Sequence, residues 1–391
     1  MREGWQTKRV SEIAQHSLGK MLDKSKNKGE PKPYLRNQNV RWFEFDLSDM
    51  NVMGFTPEEH SRCSASKGDV LICEGGYPGR AAVWEEDEPV FFQKAIHRVR
   101  FHEPERGSWL VYYLYMKSLD GTLSQHFSGT GIQHFTGEAL AQFELPLPPR
   151  PEQARIVAIL DEAFEGIAIV RAIAEKNLGN ARAIFESHLE SVFRQSGEGW
   201  VVRNMADVCA ITSVLVDPRE DAYRDLVHVG AGNIASNTSA LHDLKTAQEE
   251  GLISGKFLFD DSMVLYSKIR PYLVKVARPS FRGLCSADMY PLAPTMSVVT
   301  RDFLFYMLLS KPFTDYAIQG SARAGMPKVN REHLFAYQVP LPSVEEQRAL
   351  AEQLDSLREE TQSLESVYLR KLAALDALKQ SLLHHAFSGQ L

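Results

Sequence analysis

The sequence predicts an α+β chain in which two mixed α/β globular units alternate with two long antiparallel coiled-coil helices. Two observations lead to this prediction: the chain repeats itself at an interval of 194 residues, and each copy ends in a long heptad-spaced segment. The predicted boundaries are 1–149 for the first unit, 150–197 for the first helix, 198–342 for the second unit and 343–391 for the second helix. The repeat implies an approximate two-fold relation, so that one chain imitates a dimer.

The repeat holds at an unbroken offset from about residue 70 to the end of each copy. The matched segments are Pro146-Leu147-Pro148 with Pro340-Leu341-Pro342, Glu152-Gln153 with Glu346-Gln347, Leu160-Asp161 with Leu354-Asp355, Phe193 with Phe387, Val70-Leu71 with Val264-Leu265, and Trp109–Tyr112 with Phe303–Tyr306. An offset held over such a length indicates duplication. The first forty residues align poorly with the residues that follow Trp200.

Both long helices begin at a proline-rich hinge. Each proline disfavours helix in the residue before it, whereas Pro151 stands where a helix can start without losing a hydrogen bond. Alternating spacings of three and four predict a coiled-coil seam in each helix. The first seam is Ile156, Leu160, Ala163, Ile167, Val170, Ala174, Asn177, Ala181, Ile184 and His188. The second seam is Leu350, Leu354, Leu357, Thr361, Leu364, Tyr368, Lys371, Leu375, Leu378 and Leu382.

Shorter elements are predicted within the first unit. Lys67–Cys73 and Val90–Phe101 are rich in β-branched and aromatic residues and are bounded by turn residues, which indicates strands. Ser108–Leu119 is apolar on most faces, which predicts a short buried helix.

Composition is that of a soluble globular protein, with 44% hydrophobic and 24% charged residues. The net charge of −6 argues against a non-specific nucleic-acid binder, but the charge is unevenly placed. Residues 1–41 hold ten Lys/Arg against four Asp/Glu, and residues 266–282 hold five basic residues and no acid. DNA binding therefore stays open.

Sequence features also bear on location. No secretory signal or membrane-spanning stretch is evident, so no membrane partner is expected. The four cysteines are widely spaced without a C-x-x-C pair, which fits a reducing cytoplasm and predicts no structural metal.

Four segments of the chain match signatures of one known family: the two hinge segments Leu145–Gln153 and Val339–Gln347, Asp69–Ile72 followed by Gly75-Gly76 and Gly79-Arg80, and Ser267–Leu273. Through these motifs the whole chain resembles the specificity subunits of type I restriction–modification systems. One such motif alone is weak evidence for the resemblance. Two copies in register, each followed by a long helix, are specific evidence.

The resemblance implies a function. Each globular unit would be a target recognition domain for one half of a split, asymmetric sequence in double-stranded DNA. The helices would set the distance between the halves and dock two modification subunits, which methylate adenine at N6. Restriction subunits that translocate and cleave DNA with ATP would join that core. The chain itself would need no cofactor.

Candidate DNA contacts are basic and amide side chains on expected loops, because Lys and Arg bind phosphates and Arg, Asn, Gln and Lys read bases. In the first unit they are Arg36, Gln38, Asn39, Arg80, Lys94, His97, Gln133 and His134. In the second unit they are Lys268, Arg270, Lys275, Arg278, Arg323, Lys328 and Asn330. For each of these taken alone, a solvated or salt-bridged surface residue is the more common interpretation. Divergence of the two sets at matched positions predicts two different half-sites.

Catalytic motifs of the associated activities are missing from the sequence. It holds neither a Walker phosphate loop nor the Asn/Asp-Pro-Pro-aromatic motif of amino-methyltransferases. The glycines at 75, 76 and 79 are better explained by a tight turn that lets the backbone approach DNA or a neighbouring strand. Two alternatives remain beside a DNA-reading subunit: an enzyme with a non-standard site, and a coiled-coil scaffold whose globular ends bind proteins.

Overall fold

The computed structural model describes residues 4–23, 27–103, 106–194, 197, 199–321 and 326–391. The chain divides into two compact units. Unit 1 comprises Met1–Ala174 and Arg370–Leu391, and unit 2 comprises Glu175–Leu369. Among the described helices, none is both long and apolar enough to cross a membrane.

Unit 1 is built on two four-stranded sheets and a two-stranded ribbon. Its strands are β1 (Gln6–Arg9), β2 (Ala14–Leu18), β3 (Glu30–Leu35), β4 (Asn51–Phe55), β5 (Ser64–Ala65), β6 (Val70–Cys73), β7 (Ala81–Val83), β8 (Val90–Phe92), β9 (Ile96–Phe101) and β10 (Glu144–Leu147). Its helices are α1 (Val10–Ile13), α2 (Pro57–Cys63), α3 (Gly107–Leu119), α4 (Gly137–Gln142) and the start of α5 (Arg150–Arg194). The sheet orders are β2-β9-β6-β7 and β4-β3-β8-β5, and the ribbon pairs β1 with β10.

Unit 2 repeats this plan with one additional strand. Its strands are β11 (Val201–Asn204), β12 (Cys209–Ala210), β13 (Leu215–Val216), β14 (Val227–Val229), β15 (Lys245–Thr246), β16 (Lys256–Phe259), β17 (Val264–Ser267), β18 (Val276–Ala277), β19 (Gly283–Cys285), β20 (Met289–Pro294) and β21 (Gln338–Leu341). Its helices are α6 (Met205–Val208), α7 (Arg301–Leu309), α8 (Lys311–Gln319), α9 (Arg331–Phe335) and the start of α10 (Val344–Ser388). The sheet orders are β12-β20-β17-β18 and β13-β16-β19-β14-β15, and the ribbon pairs β11 with β21.

The internal repeat is confirmed, and it extends into the amino-terminal residues that alignment left unmatched. The β1–β10 ribbon of unit 1 corresponds to the β11–β21 ribbon of unit 2, and both are antiparallel. A parallel pair lies inside the second sheet of each unit, β3 with β8 and β14 with β19. Tight 3₁₀ turns at Asn37–Asn39 and Ala231–Asn233 also match. Backbone geometry is therefore kept where side chains have diverged.

Two predicted strands of unit 1 are shorter than expected. The first begins at Val70 rather than Lys67, because Gly68 has a φ of 87° and turns the chain beforehand. The second is divided into β8 and β9 by a turn at Ala95, whose φ is 88°. The predicted buried helix is confirmed as α3.

The recurring motifs anchor each long helix to a globular unit. The Tyr112 hydroxyl donates to Asp161 Oδ1 at 2.6 Å in unit 1, and Tyr306 donates to Asp355 in unit 2. At the start of α5, the buried Gln153 side chain donates from Nε2 to the Pro148 carbonyl at 2.7 Å. Gln347 makes the equivalent bond at the start of α10. The Pro-Leu-Pro, Gln and Leu-Asp repeats are thus structural.

Within each unit the two long helices pack with opposite chain directions. In unit 1, Arg155 near the start of α5 donates to the Leu391 carbonyl at 2.7 Å, and Arg171 pairs with Asp376 at 2.5 Å. In unit 2, Arg182 pairs with Glu365 at 3.0 Å. The later α5 residues share a hydrophobic core with the earlier α10 residues, namely Leu189 and Phe193 with Ala351 and Leu354.

The predicted heptad register is wrong in the second half of each helix. On α5 the buried stripe runs through Ala181 to Leu189 and Phe193, while Ile184 is 49% exposed and His188 is also exposed. On α10 the predicted seam residues Leu364, Lys371 and Leu378 are exposed. A straight α-helix has 3.6 residues per turn and drifts about 20° per heptad, so a strict seven-residue register loses the buried face.

Candidate nucleic-acid interface

Four segments of unit 1 converge on one surface, here called loop cluster 1 (residues 36–39, 74–80, 93–95 and 128–134). The Asn37 side chain donates from Nδ2 to the Gly75 carbonyl at 3.0 Å. The hairpin at 128–134 is held to the same turn by a β-bridge between Gly75 and His134. The backbone N–H of Glu74 donates to the Ala95 carbonyl at 2.8 Å, which adds the β8–β9 turn.

Glycine is required in this turn because other chain segments approach closely. A Cβ on Gly76 would lie 2.2 Å from Asn37 Nδ2, and the φ of Gly76 is 77°. A Cβ on Gly75 would lie 2.9 Å from His134 Nδ1. The predicted tight turn is therefore confirmed, and the groups that approach it within the chain are the side chains of Asn37 and His134.

Several predicted contact residues of unit 1 belong to loop cluster 1. Gln38, Lys94 and Gln133 are exposed, and His134 is half-buried. Arg36 is tied to Asp49 at 2.7 Å. Two other predicted residues lie in the interior.

Asn39 and His97 have internal roles, which removes them from the proposed contact set. Asn39 is buried, and its Nδ2 donates to the carbonyls of Asp46 and Asp49, both at 2.9 Å. His97 is buried on β9, and its Nε2–H donates to the Phe135 carbonyl at 3.1 Å. Burial and the nearby His16 lower the pKa of His97 to about 4.

Arg80 closes the glycine turn and stays half-buried. Its Nη2 donates to the Asn37 carbonyl at 3.2 Å, and its guanidinium lies 3.7 Å from the centre of the Tyr77 ring. Such stacking presents a planar cation beside an exposed aromatic ring. Arg80 can therefore offer its remaining N–H groups to an anion without leaving the turn.

Unit 2 assembles an equivalent surface, loop cluster 2 (residues 230–233, 268–275 and 326–330). The Arg270 N–H donates to the Pro327 carbonyl at 2.9 Å, and the Val329 N–H donates to the Lys268 carbonyl at 2.8 Å. Lys275 reaches the first turn, since its Nζ donates to the Ala231 carbonyl at 2.5 Å. Arg270 has a φ of 49° and is exposed.

The electrostatics of loop cluster 2 favour anions. Burial, followed by the positive charge of Lys328, lowers the pKa of Lys268 despite the opposing effect of Asp288 at 3.7 Å. A lysine whose charged form is disfavoured by another cation gains stability when an anion binds between them. This surface is therefore suited to a phosphate backbone.

Three further predicted contact residues belong to unit 2. Arg278 pairs with Asp302 at 2.6 Å and with Asp355; burial acts to lower its pKa, but these hydrogen bonds outweigh it and raise the pKa. Asn330 caps α9, its side chain accepting from the His333 N–H at 2.7 Å. Arg323 lies outside the described residues. Arg278 thus anchors α10 rather than facing a ligand.

One candidate feature was missed by the sequence reasoning. Glu74 in loop cluster 1 corresponds to Lys268 at the 194-residue offset, and Lys94 corresponds to Asp288. The signs are reversed between units, and in unit 2 the two residues form an ion pair. Comparison of charges at the repeat offset is the signal that reveals it. The two surfaces therefore share a backbone while differing in charge pattern.

Two equivalent loop clusters lie on repeated α+β units and present basic or amide side chains, the groups that contact phosphates and base edges in nucleic-acid complexes. The family model for the "Type I restriction modification DNA specificity domain" matches residues 2–176 and 197–372. The chain belongs to this family. Its membership confirms the resemblance and the repeated two-unit α+β fold.

Individual relatives are specificity subunits. The Escherichia coli type I restriction enzyme EcoDI specificity subunit is 35% identical over 192 residues, which are 49% of this chain and 42% of that protein. The chain thus matches less than half the length of that relative. The MjaVIII specificity subunit of Methanocaldococcus jannaschii is 21% identical over 322 residues, 72% of this chain and 70% of that protein.

Solved structures share the fold over the whole chain. A chain from work on complex assembly and conformational transition of the type I R-M system has a TM-score of 0.75 at 18% identity, covering 100% of this chain and 99% of its own. The HsdS subunit from Thermoanaerobacter tengcongensis has a TM-score of 0.60 at 20% identity, covering 100% and 98%. At these identities the likeness concerns the fold.

Proposed function

We propose that this chain is the DNA-reading specificity subunit of a type I restriction–modification enzyme. In this proposal loop clusters 1 and 2 each read one half of a bipartite, asymmetric target in double-stranded DNA. The observation that carries it is the pair of loop clusters, which have matched backbones and unmatched side chains. A matched backbone gives both modules the same way of docking on duplex DNA, and different side chains give different base preferences.

The partners belong to the same proposal. Two modification subunits would dock on the long helices and methylate adenine at N6 at sites chosen by this chain, and ATP-dependent restriction subunits would join them in the cytoplasm. Large apolar side chains on the helices support a docking role, because they lie in solvent away from the paired faces. They are Ile169, Ile173, Ile184, Leu364, Val367, Leu369 and Leu378. Scattered exposure of this kind is common, but seven such residues on two helices suit an interface.

The decisive experiment is a genome-wide map of N6-methyladenine in cells that express this chain with a modification subunit encoded beside it, compared with cells that lack the chain. We expect a split, asymmetric motif that is present only with the chain. A palindromic motif would contradict two different half-sites. An assembled complex that produces no chain-dependent motif would favour the scaffold alternative, which family membership does not otherwise support.

A further inference from the structure

Two large apolar side chains stand in solvent at the same position of the two loop clusters. Ile132 is 73% exposed in loop cluster 1, and Met326 is 54% exposed in loop cluster 2. They are separated by the 194-residue offset that relates the units. Exposed aliphatic residues are ordinary when they occur singly. Their recurrence at one repeat position, amid loops that have otherwise diverged, calls for a shared role.

Ile132 is displayed by a hairpin whose base is fixed. Ser128 and His134 exchange two backbone hydrogen bonds, each of 2.9 Å. The next residue, Phe135, is fully buried and donates its N–H to the Glu74 carbonyl at 2.7 Å. The hairpin that carries Ile132 is therefore anchored to the core of unit 1 and to the glycine turn of loop cluster 1.

The residues around Ile132 leave it uncovered. Gly129 has a φ of 105°, and a Cβ there would lie 2.3 Å from the Ile132 carbonyl oxygen, so only glycine permits this tip. A Cβ added to Gly131 would meet nothing within 4 Å. Gly131 directly precedes Ile132 and has no side chain, so nothing on that side keeps a ligand away from the apolar tip.

Met326 is held in a comparable manner. Its neighbour Pro327 accepts from the Arg270 N–H at 2.9 Å, and Lys328 forms a β-bridge with Ile269. Val329, which follows, is fully buried. Met326 is thus an exposed thioether beside two cationic residues of loop cluster 2.

We infer that Ile132 and Met326 are specificity-determining residues that read apolar base surface, the 5-methyl group of thymine, each within its own half-site. This inference rests on the proposed function. In the major groove, thymine is the one base that presents a methyl group, and aliphatic side chains are its recognition partners. In this inference the surrounding cationic side chains bind phosphates. The uncharged side chains of Ile132 and Met326 favour binding only by leaving water for an apolar surface. The different shapes of isoleucine and methionine suit two different half-sites.

The test uses the full chain with its modification subunit and compares methylation maps of Ile132→Ala, Met326→Ala and a control, Ile253→Ala. Ile253 is 78% exposed in unit 2 and belongs to neither loop cluster, so its replacement removes an exposed aliphatic side chain elsewhere. We expect Ile132→Ala to relax one thymine position in one half-site and Met326→Ala to relax one in the other. The control should leave the motif unchanged.

A binding measurement on duplexes that carry the mapped motif then examines the methyl group itself. Replacing the identified thymine by uracil should weaken wild-type binding about fourfold, the effect of burying one carbon group, and should leave the matching alanine variant unaffected. An unchanged motif in both variants, or equal weakening at every position, would overturn the inference while leaving the proposed function intact. A wild-type complex without any bipartite motif would overturn the proposed function itself, and the inference with it.

Discussion

Among single residues, His97 shows how a buried side chain supports loop cluster 1 through Phe135. Its ring is buried, donates one hydrogen bond to the Phe135 carbonyl, and has a buried Nδ1 without a hydrogen-bond partner among the described residues. The His16 ring, 6.3 Å away, is the titratable group that faces it. Burial disfavours the charged form of His97, and the nearby His16 adds to this effect. Together they lower the pKa of His97 to about 4.

The lowered pKa predicts a loss of stability in mild acid. Because the folded pKa lies below the unfolded value of about 6.5, the unfolded chain binds more protons between these values. The contribution of neutral His97 to the stability of the folded chain is complete above pH 6.5 and is lost as the pH falls towards 4. Between pH 7 and pH 5 we expect the free energy of unfolding to fall by about 2 kcal/mol through this residue. Urea unfolding followed by tryptophan fluorescence measures it.

The matched variants for this measurement are His97→Gln and His102→Gln. His97→Gln should flatten the decline between pH 7 and pH 5, whatever its effect on stability at pH 7. The exposed His102, which directly follows the same strand, serves as the control and should leave the decline in place. An equally steep decline in both variants would show that other groups carry the pH dependence.

Lys328 permits a second prediction for a single residue, which concerns affinity. Replacement by glutamine keeps a polar, flexible side chain and removes one of the two positive charges at Lys328 and Lys268. We expect Lys328→Gln to weaken binding to all DNA sequences alike and to reduce the salt dependence of binding by about one counterion. Lys311→Gln, an exposed lysine paired with Asp315 on α8, is the control. Equal salt slopes in the two variants would place Lys328 outside the phosphate contacts.

Among secondary-structure elements, the paired helices depend on where their buried stripe lies. Ala181 is buried, and three residues later Ile184 is half exposed. Ala181→Leu should overpack this face and lower the free energy of unfolding by about 1–3 kcal/mol. Ile184→Ala should change it by less than about 0.5 kcal/mol. Chemical unfolding of both variants distinguishes the observed stripe from the predicted heptad, which gives Ile184 the buried position.

The helices also show how far sequence reasoning reaches. Their existence, their starts after the proline hinges and their opposite directions follow from local rules and from the repeat. The buried face over the second half of each helix does not follow, because it depends on supercoiling, a property of the packed pair rather than of either sequence. The same limit applies to Arg278, whose basic character predicted a ligand contact. Its partners Asp302 and Asp355 come from distant segments and are known only once the chain is folded.

Loop cluster 1 gives the complementary lesson. Gln38, Arg80 and Gln133 come from three separated segments, yet residue type and loop signals identified them, and the fold brings their segments together. Asn39 carried the same chemical signal and is buried. Residue type therefore identified the segments, while orientation within a turn, set by backbone hydrogen bonds, decides which side chain faces solvent.

For the whole molecule, the proposal is that the long helices fix the number of base pairs between the half-sites. The boundaries between the units offer insertion points: Ala174 with Glu175 on α5, and Leu369 with Arg370 on α10. Seven residues inserted at both points leave the contacts inside each unit intact and keep the helical phase to within about 20°. They lengthen each helix by about 10 Å, which corresponds to about three base pairs.

The expected outcome of this double insertion is a methylated motif whose two halves are unchanged and whose gap is about three base pairs longer. Three base pairs also rotate duplex DNA by about 100°, so methylation should be less complete than with the unaltered chain. Insertion into α5 alone is the control, because it displaces one helix face against the other and should abolish the motif. An unchanged gap after double insertion, or altered half-sites, would mean that the helices do not set the spacing. Base preference would then have to depend on the arrangement of the whole chain rather than on each loop cluster separately.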